Sequence, residues 1–174
     1  MKRIFLIGFM GSGKTTIGSL LAQELGYSFI DLDHYIEKRV VKKITDIFAE
    51  KGEDGFRELE HNMLLEVSML ENVVISTGGG AACFHNNMSL MNETGLSIYL
   101  KLSTSTLVNR LQKAKDFRPL IKDKTDEELV SYINTTLETR EKYYLQAALV
   151  LDNDDKNPTN VCAEIISILH KKLV

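Results

Sequence analysis

Gly8-Phe9-Met10-Gly11-Ser12-Gly13-Lys14-Thr15 decides the reading of this 174-residue chain. The stretch fits the phosphate-binding pattern G-x-x-x-x-G-K-[ST]. It lies between an apolar, strand-like run, Ile4 to Ile7, and a helix-like one, Thr16 to Leu25. Three glycines let backbone N–H groups converge on a polyphosphate, and the helix that follows aims its unpaired N–H groups at the same anion. Gly11, Ser12, Gly13 and Thr16 would then hold phosphate oxygens. Lys14 adds a mobile cation for the outer phosphates and Thr15 a hydroxyl for Mg²⁺. The stretch therefore predicts a binder of nucleoside triphosphates.

The bulk composition fits one globular domain over residues 1–174. Hydrophobic residues make up 44% and charged ones 26%, enough for a real core, and two prolines with no Ser/Gly-rich tract leave no place for a linker. A net charge of -3 argues against nucleic acid as the main partner. Lys2-Arg3 before Ile4 to Met10 imitates a secretory start, but the apolar run is short and leads straight into the phosphate loop. No stretch of about 18 apolar residues exists, so no membrane span is expected. Cys83 and Cys162 read as buried, reduced thiols, and the four histidines lack metal-ligand spacing, in keeping with a cytoplasmic protein.

Outward from the loop, short apolar runs alternate with helix-length segments. Strands are predicted at Arg3–Ile7, Ser28–Leu32, Val73–Thr77, Leu96–Leu102 and Ala148–Leu151. Helices are predicted at Lys14–Leu25, Tyr35–Val40 with Thr45–Glu50, Phe56–Leu70, Ser103–Lys113, Asp126–Leu145 and Pro158–Lys172. The alternation predicts an α/β fold of three layers, helices covering both faces of a mainly parallel five-stranded sheet. Ligands of such sheets sit at the carboxyl ends of the strands.

Strand two is predicted to end in Asp31-Leu32-Asp33, which by strand alternation would put two carboxylates on one side, roughly 6.5–7 Å apart. One can hold Mg²⁺ through water and the other can accept from a substrate hydroxyl; the plain alternative is a pair of helix caps. Strand three runs into Gly78-Gly79-Gly80, room for a small ligand or merely a tight turn. Arg57, opening one helix, and Arg140, near the end of another, are surface charges unless a small anionic substrate gives them a carboxylate to clamp. Gln112 to Pro119 is polar and basic; it reads either as an ordinary loop or as a flap carrying Arg118.

Together these residues resemble the shikimate kinases, small-molecule members of the phosphate-loop kinases. The resemblance rests on Gly8 to Gly18, Asp31-Leu32-Asp33, Phe56-Arg57 with Glu60, Thr77-Gly78-Gly79-Gly80, Arg118-Pro119-Leu120, and Arg140 with Tyr144. It implies a phosphate-loop NTPase fold of the nucleoside monophosphate kinase type. The implied reaction moves the ATP γ-phosphoryl group to the 3-hydroxyl of shikimate, on the route to chorismate and the aromatic amino acids. It further implies that Lys14 holds phosphates and that Thr15 with Asp31 serves Mg²⁺. Asp33 would engage the shikimate hydroxyls, and Arg57, Arg140 and the backbone of Gly78, Gly79 and Gly80 would form the substrate pocket. Arg118 would be the lid residue and Lys156 a neighbour of the adenine. The substrate-binding region would span about 33–60 and the lid about 112–124, in a monomer.

Three positions depart from the family pattern. Val40-Val41-Lys42-Lys43 lacks a usual glycine, Arg140-Glu141-Lys142 lacks a common proline, and Lys156 stands where arginine is frequent. Gluconate-type and nucleoside monophosphate kinases share the loop and lid, but the Asp31, Asp33, Phe56-Arg57 and triple-glycine combination favours shikimate. A GTP-dependent switch would need Asn-Lys-x-Asp and Asp-x-x-Gly, which the chain lacks. A catalytically silent relative is disfavoured by the retained Lys14, Asp33 and Arg118.

Overall fold

The structure is a computed structural model that describes residues 3–113 and 121–171. Five strands, β1 (Arg3–Ile7), β2 (Ser28–Asp31), β3 (Val73–Ser76), β4 (Leu96–Lys101) and β5 (Leu149–Asp152), form one sheet in the order β2-β3-β1-β4-β5. Every pairing is parallel. A parallel neighbour demands a crossover, and helices supply it. They are α1 (Lys14–Leu25), α2 (Leu32–Val40), α3 (Ile44–Val67), α4 (Asn87–Thr94), α5 (Thr104–Lys113), α6 (Asp126–Tyr144) and α7 (Pro158–Lys171).

Strand β1 shows why the sheet needs cover on both sides. Its alternate residues Phe5 and Ile7 enter one core with Ile75, Leu64, Val67 and Tyr144. Ile4 and Leu6 enter the other, with Ile17 and Leu21 of α1 and Val161 and Ile165 of α7. All four are fully buried, as in strands covered on both faces. A third cluster, including Leu107, Leu111, Leu129 and Ile133, packs α5 on α6.

Local chemistry sets several helix ends. Gly26 closes α1 at φ 68°. Thr125 and Glu128 form a reciprocal capping box on α6, and the Asn157 side chain accepts from Asn160 N at 2.8 Å before Pro158 opens α7. The predicted segments Thr45–Glu50 and Phe56–Leu70 are one element, α3, bent at Gly52 (φ 67°, ψ -172°). That conformation is essentially reserved to glycine, so the bend lies where the sequence permits it. Helix α4 falls where no helix is expected: its Asn and Ser content favours turns, and buried Asn87, Met88 and Met91 with half-buried Leu90 tie it to the core.

Candidate functional site

The phosphate loop leaves β1 and enters α1 with Gly11 at φ 82° and Gly13 at φ 95°, angles that side chains resist. Gly13 caps α1 without a side chain, which leaves the first helical N–H groups facing outward from the loop. Lys14 is buried, and its ammonium donates to the carbonyls of Gly8 (2.8 Å) and Phe9 (2.9 Å). Ser12 is buried in the loop, whereas Thr15 and Thr16 are exposed. The side-chain amide of Asn153, beyond β5, donates to the Ser12 carbonyl at 3.1 Å and ties the loop to the far side of the sheet.

The two acids are arranged differently from the strand-alternation expectation. Strand β2 stops at Asp31, and Asp33 stands in the first turn of α2. The cause is capping: Asp31 Oδ1 accepts from His34 N at 3.3 Å, so an extended Asp31 begins the helix three residues early. The cap and the functional reading hold together, because Asp31 Oδ2 also accepts from Thr15 Oγ1 at 2.8 Å. That pair sets two hard oxygens side by side next to the phosphate loop, the kind of donor Mg²⁺ takes. Among the described residues no group of three His, Cys, Asp or Glu could hold a metal. A cation here would therefore keep waters and phosphates in its shell, as Mg²⁺ does.

A cleft of about 340 Å³ opens between these parts. Gly11, Gly13, Lys14, Thr15 and Thr16 line one side, and Asp31, Asp33, Thr77, Gly78 and Gly79 the other. Burial pushes the Asp33 carboxyl above the usual carboxylate range, and the nearby Asp31 charge adds to the rise, against the pull of Lys14 and Arg57.

The triple glycine proves to be a matter of space. A Cβ on Gly78 would stand 2.7 Å from Glu60 Oε1 and 2.9 Å from Asp33 Oδ1, and one on Gly80 would stand 2.5 Å from Arg57 Nη2. Three charged side chains thus crowd one short loop. Arg57 is held by α3: Nη1 donates to Glu60 Oε2 at 2.7 Å and Nη2 to Glu53 Oε1 at 3.3 Å. Its guanidinium also lies 4.3 Å from the centre of the Phe84 ring. Arg140 reaches the same loop from α6, its Nη1 3.7 Å from the place a Gly79 Cβ would take.

Two contributors lie outside the expected set. Glu60 is buried, and among the described residues its Oε1 has no hydrogen-bond partner. Burial pushes its carboxyl up, opposed by Arg57. Its spacing of three from Arg57 was the available signal. Arg110 lines the phosphate side of the cleft, with Nη1 3.5 Å from the Gly11 carbonyl. It shares a face of α5 with buried Leu107 and Leu111, a face that reads from sequence as core.

Lys156 pairs with Glu164 at 2.8 Å and is not among the residues lining the cleft. Arg118 lies outside the described residues, as does most of the expected flap. Cys83 and Cys162 are free thiols; Cys162 is buried, Cys83 only half-buried, with its thiol pushed up to about 11 by burial. His61 and His85 stack at 4.8 Å, and His61 Nδ1 lies 2.6 Å from Asn87 Oδ1, so these two rings brace α3 against the loop before α4.

Comparison with known proteins bears on the family and the fold. The shikimate kinase family model matches residues 10–170. The shikimate kinase of Parabacteroides distasonis is 52% identical over 152 residues, covering 87% of this chain and 88% of that one. The crystal structure of shikimate kinase from Bacteroides thetaiotaomicron superposes with a TM-score of 0.92 at 46% identity, over 97% of this chain and 98% of that one. Shikimate kinase from Acinetobacter baumannii in complex with shikimate gives 0.88 at 30% identity, over 99% and 94%. With the family model spanning nearly the whole chain and relatives this similar, the chain belongs to the shikimate kinase family.

Proposed function

We propose that this cleft transfers the γ-phosphoryl group of ATP to the 3-hydroxyl of shikimate, giving ADP and shikimate 3-phosphate, a step toward chorismate and the aromatic amino acids. The observation that carries the reading is the crowding of Asp33, Glu60 and Arg57 around Gly78 and Gly80, with Asp33 and Gly78 lining the same cleft as Lys14. One side fits a polyphosphate and the other a small polyol acid.

In this reading Gly11, Ser12, Gly13, Thr15 and Thr16 hold phosphates. Lys14 turns from the Gly8 and Phe9 carbonyls to the β- and γ-phosphates. Thr15 and Asp31 would hold Mg²⁺, which would supply neutralisation of phosphate charge. Arg57 and Arg140 clamp the carboxylate, and the Gly78, Gly79 and Gly80 backbone walls the ring. Asp33 and Glu60 Oε1 accept from ring hydroxyls. The attacking oxygen bonds to the γ-phosphorus as the bond to the β–γ bridging oxygen breaks, and its proton passes to Asp33. The raised affinity of Asp33 for a proton suits that role. By family pattern Arg118 closes on the phosphates and excludes water, within a lid of about residues 112–124. Lys156 lies near the adenine by the same pattern, with Arg110 on the phosphate side.

The whole chain acts as one domain, with substrate bound by about residues 33–60, and as a cytoplasmic monomer without nucleic-acid or membrane partners. No described helix is long and apolar enough to cross a membrane. The test is ADP release from MgATP with shikimate, gluconate or AMP as acceptor. Turnover with shikimate alone, lost in Arg140→Ala at the same concentration, is expected. Turnover with another acceptor and none with shikimate would overturn the substrate.

A further inference from the structure

We propose that Tyr144 is a positioning residue for the substrate pocket: its hydroxyl fixes the Gly79 backbone, against which Arg140 and the substrate are aligned. This rests on the reading of the site given above. Tyr144 and Arg140 lie one turn apart on α6, and side chains four residues apart share a helix face. Both meet the same residue. The Tyr144 hydroxyl donates to the Gly79 carbonyl, and Arg140 Nη1 lies 3.7 Å from the place of a Gly79 Cβ. Gly79 also stands beside the phosphate loop, 3.4 Å separating that Cβ place from Met10 N. It is thus the point where the nucleotide side and the substrate side touch.

The anchor itself is rigid. Tyr144 is fully buried, its ring centre 5.1 Å from that of Tyr99. Helix α6 is seated by its buried Leu129, Ile133 and Tyr144, and Glu141 pairs with Lys101 of β4 at 2.8 Å. Burial holds the Tyr144 phenol well above its ordinary pKa, so it remains a donor at any working pH. The Gly79–Gly80 peptide is trans, so its carbonyl and its N–H point to opposite sides. Holding the Gly79 oxygen on Tyr144 therefore fixes the direction of the Gly80 N–H. Three consecutive glycines would otherwise leave that direction loosely determined, since glycine restricts its backbone least.

The test is Tyr144→Phe, which keeps the ring against Tyr99 and removes the hydroxyl, and with it the hydrogen bond to Gly79 and the contact with Arg140. Steady-state constants for shikimate and ATP are measured beside a melting curve, with Tyr143→Phe as the neighbouring control. Tyr143 is half-buried and faces the Lys142 ammonium instead. Loss of one positioning hydrogen bond should raise the shikimate KM about 3–10-fold. The ATP KM and kcat should stay close to wild type, Tm should fall by no more than the few degrees that one unpaired carbonyl costs, and Tyr143→Phe should change none of them. A shikimate KM within twofold of wild type overturns the proposal. So does a parallel rise in both KM values with a falling Tm, which would make Tyr144 a core residue only. Wild-type turnover is measured first: if shikimate is not a substrate, the parent reading falls and takes this one with it; if it is, only the Tyr144 role is at stake.

Discussion

Asp33 carries an electrostatic cost at the position proposed to accept the proton. Its folded pKa lies above the ordinary 3.8, mainly because burial disfavours the charge and Asp31 repels it. The folded state therefore binds the proton more tightly than the unfolded chain. Stability falls as pH rises from about 3.8 through the folded pKa, and the deficit persists at neutral pH. Asp33→Asn removes that charge. It should raise Tm at pH 7 by a few degrees while lowering kcat by about 10²- to 10⁴-fold, read by calorimetry and coupled assay. Near-normal turnover would strip Asp33 of its proton-accepting role, and an unchanged or lower Tm would deny the electrostatic cost. At this scale the sequence was most legible where chemistry is local. Lys14 and Thr15 could be placed because the phosphate loop is contiguous. Glu60 could not, because its meaning comes from Gly78, which lies 18 residues away in sequence but in contact through the fold.

Among the elements, the junction of α2 and α3 carries the plainest strain. The residue after α2, Val41, sits at φ 55° with 87% of its surface exposed. A left-handed backbone costs an L-residue roughly 1–2 kcal/mol, and a β-branched one gains nothing there from packing. This is the segment where the family pattern places a glycine. Val41→Gly should stabilise the protein by about 1 kcal/mol, or about 2–4 °C in Tm, once the entropy of a freer unfolded chain is counted. A fall in Tm would mean that Val41 makes a contact worth more than its strain. The other element boundaries divide by the same logic. Gly26 and Asn157-Pro158 announce helix ends because capping is chemistry within a few residues. The early start of α2 at Leu32 was hidden, because Asp31 serves the end of a strand, a cap and the Thr15 hydroxyl at once.

For the whole molecule, stability rests on two cores divided by one sheet. The side chains of β1 alternate between them, so cover on each face is needed for the strand that delivers the phosphate loop. Ile165 of α7 is fully buried in the core that also holds Ile17 and Leu21 of α1. Ile165→Ala should cost about 2–5 kcal/mol through lost transfer energy and the cavity left behind, lowering Tm by roughly 5–15 °C in a melting experiment. Because that core lies on the face away from Asp33 and Arg140, the shikimate KM of the surviving folded protein should stay within about twofold of wild type. A KM that rose with the lost stability would show the two faces to be coupled.

The sequence by itself determined the nucleotide side of this protein and the layered α/β plan. Both follow from short-range rules: a contiguous loop that cradles phosphate, and apolar periods of two and of about 3.6 residues. The side proposed for the substrate was named in the sequence only through family resemblance, and how its residues meet was decided by the tertiary structure. There Asp33 of α2, Arg57 and Glu60 of α3, the Gly78 to Gly80 loop and Arg140 and Tyr144 of α6 converge from separate parts of the chain. No local pattern encodes that convergence, because it is the packing of those helices against one sheet that brings the side chains within a few ångströms of each other.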